Sequence, residues 1–187
     1  MIKIIDNWFD KKTAERIHNF TIEELTYKYG RKSAIDKPCQ HWTTYRTGAI
    51  SRDQFPINTI QKSIIDRFGS ENGFSEIGKT YVNTYTFGTD PHIHCDNGYR
   101  FSAIYYPLLD WELDWDGGTF IYKKDRSDVE KYVAYKGNRM LFFESDYPHK
   151  AGSVSRECFR DRPSYVSKMP KHNRELDYRI LNAKAYK

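Results

Sequence analysis

Two kinds of hydrophobic spacing divide the chain. Between residues 10 and 25, Ala14, Ile17, Thr21 and Leu25 recur at helical intervals with charged residues between them, and Asp10 stands where an N-cap belongs. A helix over 10–25 follows. In "FPINTIQKSIIDRFG", residues 55–69, Ile57, Ile60, Ile64, Ile65 and Phe68 mark one helical face, Pro56 suits a first turn and Gly69 supplies the stop. From Thr80 onward the pattern changes to β-branched and aromatic runs separated by Gly, Asp, Asn and Pro clusters. "KTYVNTYTFG", "RFSAIYYPL", "GTFIY", "KYVAYKG", "RMLFFES" and "PSYVSKM" are the predicted strands. Helices that lead into antiparallel strands predict a mainly β fold, a sandwich or barrel with the jelly roll foremost.

No internal repeat or interdomain linker interrupts the 187 residues, a length that suits one domain. The expected division is a helical support over 1–79, a jelly-roll core over 80–170, and a charged tail over 171–187 that reads as a final strand, a short helix or a loose end.

Composition narrows this picture little. Aromatics make up 16% and charged residues 29%, which argues against disorder. A net charge of +5 without a basic run permits an acidic partner but does not argue for one. Glu175 and Asp177 dilute the basic tail, and the aromatics come without clustered charge, which weighs against nucleic acid. Cys39, Cys95 and Cys158 form no C-x-x-C pair and read as reduced thiols of a cytoplasmic protein. The opening "MIKIIDNWFDKK" is broken by Asp6 and Asp10, so neither a signal peptide nor a membrane span is expected.

The candidate chemistry sits in "DPHIHCDNG", residues 90–98. His94 and Asp96, two apart, point to the same side of an extended chain, and Cys95 points to the other, where a buried, inert thiol is expected. Such a pair arises often by chance, and a solvated polar loop is its plain alternative. A metal needs a third ligand, and His149 in "FFESDYPHKAG" follows 55 positions later, just past a predicted strand. Two histidines and one carboxylate on one face of a metal leave the other positions open, as in non-haem Fe(II) oxygenases. His92 shares the parity of His94 but reads as a neighbour, as does Asp90. His18, His41 and His172 read as surface or satisfied, partly buried histidines.

From about Lys79 to Met169 the sequence resembles the Fe(II)/2-oxoglutarate-dependent dioxygenases, in particular their prolyl 4-hydroxylase-like branch. "VNTYTFG", "HIHCD", "RFSAIYYPLLDW", "WDGGTFIY", "KGNRMLFFESDYPHKAG" and "RDRPSYVSKM" occur in the order of that family. The resemblance implies a double-stranded β-helix, a jelly-roll, cupin-like core. It implies Fe(II) held by His94, Asp96 and His149, with sites left for 2-oxoglutarate and O₂. The far carboxylate of 2-oxoglutarate calls for an arginine. Arg162 fits the family's R-x-S pattern with Ser164, although it lies 13 positions past His149, farther than usual, so Arg160 and Arg156 stay open. Tyr85 and Tyr106 match tyrosines that touch 2-oxoglutarate in prolyl hydroxylases, against the alternative of ordinary strand aromatics.

The activity implied is hydroxylation of an aliphatic C–H, foremost in a prolyl or other residue of a peptide or protein, with succinate and CO₂ as co-products. A free amino acid, another metabolite or a nucleobase is the alternative substrate. A cupin- or lectin-like module holding its metal structurally is the alternative class, and Asp96 argues against a halogenating relative, which usually lacks the carboxylate. "DWELDWDGG" reads as a substrate-facing lip or as a turn whose Trp111 and Trp115 pack on the barrel, with Gly117 and Gly118 serving backbone geometry rather than contacts. "CQHWTTYRTGAI" is a further candidate for the substrate surface.

Overall fold

The computed structural model describes residues 1–32, 40–43 and 54–171. Cys39, His172, residues 44–50 of "CQHWTTYRTGAI" and nearly all of the tail lie outside the described residues. None of the described helices is long and apolar enough to cross a membrane.

Among the described residues, ten strands form two antiparallel sheets. In chain order they are β1 (Ile2–Ile5), β2 (Lys28–Arg31), β3 (His41–Thr43), β4 (Lys79–Tyr85), β5 (Tyr99–Tyr106), β6 (Thr119–Tyr122), β7 (Val129–Val133), β8 (Arg139–Glu144), β9 (His149–Ala151) and β10 (Arg162–Pro170). The large sheet runs β1-β8-β5-β10-β4-β3-β2 and the small one β7-β6-β9. A single bridge between His94 and His149 extends the small sheet on the free side of β9. From β4 onward the chain passes back and forth between the sheets, with the β6–β7 hairpin as the one step within the small sheet, which winds it into the double-stranded β-helix of a jelly roll.

The period of two sorts side chains between two cores. On β5, Phe101, Ala103 and Tyr105 face outward, joined by Val82, Met140, Phe142, Tyr165 and Met169 of the neighbouring strands. Helices α1 (Lys11–Glu23) and α2 (Ile57–Ile64) cover this face with Ile17, Ile57, Ile60 and Ile64. The intervening Ile104 and Tyr106, with Leu141 and Phe143, face inward against Ile121, Val133 and Tyr135. Between the sheets, toward the bridged histidines, lies a cavity of about 310 Å³.

The six predicted strands and two helices all form, and Asp10 caps α1 by accepting from the Thr13 amide at 3.0 Å. Three details differ. The segment before β4 is more than a helical support, because β1 extends the large sheet at one end and β3 and β2 extend it at the other. The predicted stop at Gly69 does not occur there. After α2 a wider turn spans Ile65–Gly69 and one more turn Ser70–Asn72, and the chain leaves the helix at Gly73, whose φ is +68°. The Phe74 amide donates back to the Gly69 carbonyl at 2.9 Å, as a left-handed C-terminal residue permits. "KYVAYKG" is a strand only to Val133, so Tyr135 turns its ring under the sheet instead.

Candidate metal centre

Backbone pairing brings the distant histidines together. The His94 amide donates to the His149 carbonyl at 3.0 Å, His149 donates back at 2.9 Å, and the Asp96 amide donates to the Ser145 carbonyl at 2.9 Å. His94 Nδ1 lies 3.0 Å from the His92 carbonyl and His149 Nδ1 2.9 Å from the Tyr147 carbonyl. A carbonyl can only accept, so each Nδ1 carries the proton and each Nε2 keeps its lone pair. The Nε2 atoms face Asp96, 3.8 Å from Oδ1 for His94 and 3.4 Å from Oδ2 for His149. Burial first, and then the neighbouring His149, pushes His94 down to about 3, and burial pushes His149 down to about 4, so both imidazoles are neutral at neutral pH.

One ligand atom from each of His94, Asp96 and His149 lies within 4.8 Å of the others. A metal with ligands at about 2.0–2.2 Å sets adjacent ligand atoms about 3 Å apart, so small rotations close this set. Asp96 is divided between two tasks. Its Oδ2 accepts from the Ser102 hydroxyl at 2.6 Å and from the Lys168 ammonium, while Oδ1 is left for a metal. Ser102 is held in turn by Ser145 at 2.7 Å. Lys168 is 3% exposed. Desolvation, and after it the like charges of Lys79 and Arg31, pulls it well below the ordinary lysine range, and Asp96 is the carboxylate in contact with it. A neutral-imidazole pair with one carboxylate oxygen on offer fits a divalent first-row metal.

The other end of the same cavity is closed by Arg162, which opens β10 and is 1% exposed. Its Nε donates to the Gly117 carbonyl, Nη1 to Ser164 Oγ at 3.1 Å, and Nη2 to the Gly118 carbonyl at 3.3 Å and Thr119 Oγ1 at 3.4 Å. These partners are neutral, and among the described residues no carboxylate pairs with it. The guanidinium carbon lies 5.4 Å from the centre of the Tyr85 ring and 5.5 Å from those of Tyr106 and Tyr135. Tyr106 donates to Thr119 Oγ1 at 2.7 Å, and Tyr135 to the Pro163 carbonyl at 2.9 Å. A buried cation walled by aromatic rings and lacking an anion is prepared for a carboxylate.

All seven residues singled out in the sequence meet around this cavity: His94, Asp96, His149, Arg162, Ser164 and Tyr85 on its wall, and Tyr106 behind Thr119. Arg160 instead pairs with Asp110 at 2.6 Å, and Arg156 lies over the Phe87 ring, so neither reaches it. His92 contributes its carbonyl, and Asp90 pairs with Lys150 at 3.3 Å. His18 accepts from the Leu109 amide at 3.2 Å. Trp111 and Trp115 pack edge to face with each other, and Trp111 stacks on Tyr135, the packed-turn alternative rather than the lip.

Three expectations need correction. Cys95 is not buried in the core but half-buried on the cavity rim, 3.5 Å from the Asp146 carbonyl. His41 is neither on the surface nor satisfied. It is 1% exposed, packs 4.7 Å from the Tyr85 ring on the cavity wall and, among the described residues, makes no hydrogen bond of standard geometry, with burial and then Arg31 pushing it down to about 4 against a weak contact with Asn83. Gly117 and Gly118 serve geometry and contact together, since their carbonyls hold Arg162. Lys168, Ser102, Thr119 and Tyr135 escaped the sequence reading. The parity of β10 was the available signal for Lys168, which lies on the same face as Arg162 and Ser164.

No family model matches the sequence, and no curated protein matches it. Solved structures do match. A prolyl hydroxylase from Trichoplax adhaerens, in complex with a hypoxia inducible factor oxygen degradation domain peptide fragment, is 18% identical with a TM-score of 0.67, over 94% of this chain and 86% of that one. A Pseudomonas putida prolyl-4-hydroxylase is 16% identical with a TM-score of 0.61, over 91% and 92%. An oxidoreductase of the 2OG-Fe(II) oxygenase family from Burkholderia pseudomallei is 17% identical with a TM-score of 0.67, over 92% and 86%. The chain has the fold of these proteins.

Proposed function

We propose that this chain is an Fe(II)- and 2-oxoglutarate-dependent dioxygenase that hydroxylates an aliphatic C–H, foremost in a prolyl or other residue of a peptide or protein, releasing succinate and CO₂. The observation that carries the reading is the pairing, across one cavity, of the His94–Asp96–His149 cluster with a buried arginine whose partners are all neutral. A structural metal site has no use for the second feature. The relatives in fold support the same chemistry, and the peptide bound in the Trichoplax adhaerens structure supports a peptide substrate.

Fe(II) held by His94, Asp96 and His149 would supply open coordination positions and the redox chemistry with O₂ and the 2-oxo acid. The rest is the work of the chain. Arg162 binds the far carboxylate of 2-oxoglutarate, with Ser164 and Thr119 fixing the plane of its guanidinium. Tyr85, Tyr106 and Tyr135 exclude water from that charge pair, which strengthens it. The His92 and Tyr147 carbonyls set the tautomers, and Ser102 and Lys168 leave Asp96 one free oxygen.

The test adds Fe(II) and 2-oxoglutarate without oxygen, looks for the weak visible charge-transfer band of the chelate, then admits O₂ and assays succinate. Wild type should give both signals, and Asp96→Ala and His149→Ala neither. A wild-type protein that gives neither under reducing conditions rules the reading out. Arg162→Ala should raise the 2-oxoglutarate requirement far more than Arg160→Ala, because losing the partner of a desolvated charge costs about 2–5 kcal/mol.

A further inference from the structure

Two polar side chains on the cavity wall carry hydrogen-bonding atoms that nothing among the described residues answers. His41 is 1% exposed and neither of its ring nitrogens has a partner, and Asn83 is 8% exposed and its Oδ1 has none. Asn83 Nδ2 reaches only the Tyr85 hydroxyl, at 3.5 Å. Burial and then Arg31 keep His41 neutral, against a weak contact with Asn83 that falls short of a hydrogen bond of standard geometry. Unpaired polar atoms are costly in a buried site, and the groups that bind a ligand are where a folded chain bears that cost. A neutral imidazole shows one N–H and one lone pair, and Asn83 Oδ1 adds a second acceptor. The two side chains therefore ask for a ligand that both donates and accepts. 2-Oxoglutarate held at Arg162 does not supply this, because its carboxylates and its keto group only accept, and they leave Asn83 Oδ1 and the imidazole lone pair unanswered. The donor has to come from another molecule.

We propose that His41 and Asn83 form a clamp for an amide group of the substrate, the His41 N–H donating to its carbonyl and its N–H donating to Asn83 Oδ1, so that the substrate is read through a peptide bond beside the residue hydroxylated. This rests on the dioxygenase reading for its link to catalysis. An amide is the group of a peptide that carries donor and acceptor in one plane. A carboxylate, which only accepts, and an ammonium, which only donates, each leave one side of the clamp unpaired. A proline nitrogen carries no hydrogen, so in a prolyl substrate the bond read is not the one closed by that nitrogen but a neighbouring one. The sheet order places the clamp beside the cosubstrate. β10 with Arg162 is followed by β4 with Asn83 and then by β3 with His41, so a group between the two side chains is displaced from Arg162 toward β3. It also adjoins the metal centre: His41, His94 and His149 line the same cavity, and after burial and His149, a charge on His41 is felt at His94.

The test uses wild-type protein with isotope-labelled histidines, loaded with 2-oxoglutarate and Zn(II), which has no redox chemistry. N-methylacetamide, N,N-dimethylacetamide and acetate are titrated separately, and NMR follows the ring nitrogens of His41, assigned by their loss in His41→Gln. A saturable shift with N-methylacetamide is expected. Its affinity should be about tenfold or more above that of N,N-dimethylacetamide, which lacks the N–H, should fall by a similar factor in Asn83→Leu, and should be unchanged in Arg160→Gln. The two amides are compared on the wild-type protein, so the outcome does not depend on whether Asn83→Leu folds. Equal binding of both amides, or acetate bound as tightly as N-methylacetamide, overturns the proposal, and a response to none of the three leaves water as the occupant and overturns it too. If Zn(II) and 2-oxoglutarate bind but N-methylacetamide does not, the clamp falls and the dioxygenase reading stands. If they fail to bind while N-methylacetamide still binds at His41, the opposite holds.

Discussion

At the scale of single residues, the pairing of Lys168 with Asp96 decides most about the metal centre. A buried carboxylate needs a cation, and among the described residues Lys168 is the ammonium in contact with it. Lys168→Met should therefore cost the metal-free protein about 3 kcal/mol, the usual consequence of breaking a buried pair from one side. Mn(II), by giving Asp96 its cation back, should restore much of this. Urea unfolding with and without Mn(II) checks it, and the expected sign is a larger metal-induced stabilisation in the variant than in wild type. The histidines add a pH dependence. His41, His94 and His149 have folded values of about 4, 3 and 4, below the ordinary value of 6.5, so the unfolded chain binds protons more readily. Stability is thus intact above about pH 6.5 and falls as the pH drops toward 4, by on the order of 1 kcal/mol per pH unit for each histidine. Unfolding of the metal-free protein at pH 7.5, 6 and 5 reads this slope, which should be shallower in His41→Gln. The ligand pattern was legible in the sequence as a His-x-Asp pair with a later histidine, and Arg162 through the family's R-x-S pattern, with Arg160 and Arg156 left open. His41 and Lys168 were not, because only a second strand laid beside theirs shows what they face.

At the scale of elements, the stop that spacing assigned to Gly69 falls to Gly73. Gly69 looked like the stop, yet a Cβ there would lie 2.5 Å from the Phe74 carbonyl oxygen, so Gly69 is where the returning chain crosses the helix. Gly73, at φ +68°, makes the turn and would give a Cβ no contact closer than 3.7 Å. Gly73→Ala should cost about 1–2 kcal/mol, the strain of a left-handed residue with a side chain, and Gly69→Ala more, with denaturant midpoints as the measure. The turn before β6 follows the same logic. A Cβ on Gly118 would come within 2.5 Å of the Val133 carbonyl oxygen and 2.6 Å of the Tyr132 ring. Gly118→Ala should push the Gly118 carbonyl off Arg162, and both the melting temperature and the affinity for 2-oxoglutarate should fall. A glycine in a sequence announces a turn or a close approach, but which of the two depends on the chain that passes it.

At the scale of the whole molecule, the large sheet is a partition with helices on one side and the site on the other. Phe142 and Phe143 are both fully buried and adjacent, yet they belong to different cores. Phe142 stacks 4.1 Å from Phe68 and 5.1 Å from Phe101 under the helices, whereas Phe143 meets the His149 ring edge to face at 4.9 Å. Replacing either by alanine should cost about 3–5 kcal/mol. Only Phe143→Ala should also weaken Mn(II) binding to the folded protein, a difference that calorimetry below the melting temperature can read.

By itself the sequence determined the periods: two helical faces, six strands of alternating residues, and a His-x-Asp pair with a later histidine. Each is a local matter of which side chains share a face. The tertiary structure decided the rest. It added β1 at one end of the large sheet and β3 and β2 at the other, which four- and three-residue segments are too short to announce. It put Arg162 on the cavity wall and Arg160 against Asp110, since two residues of the same parity differ only in whether the strand has begun. And it set Lys168 against Asp96 and across from Lys79, because register between strands is fixed by the packing of two faces and is written in no single stretch of chain.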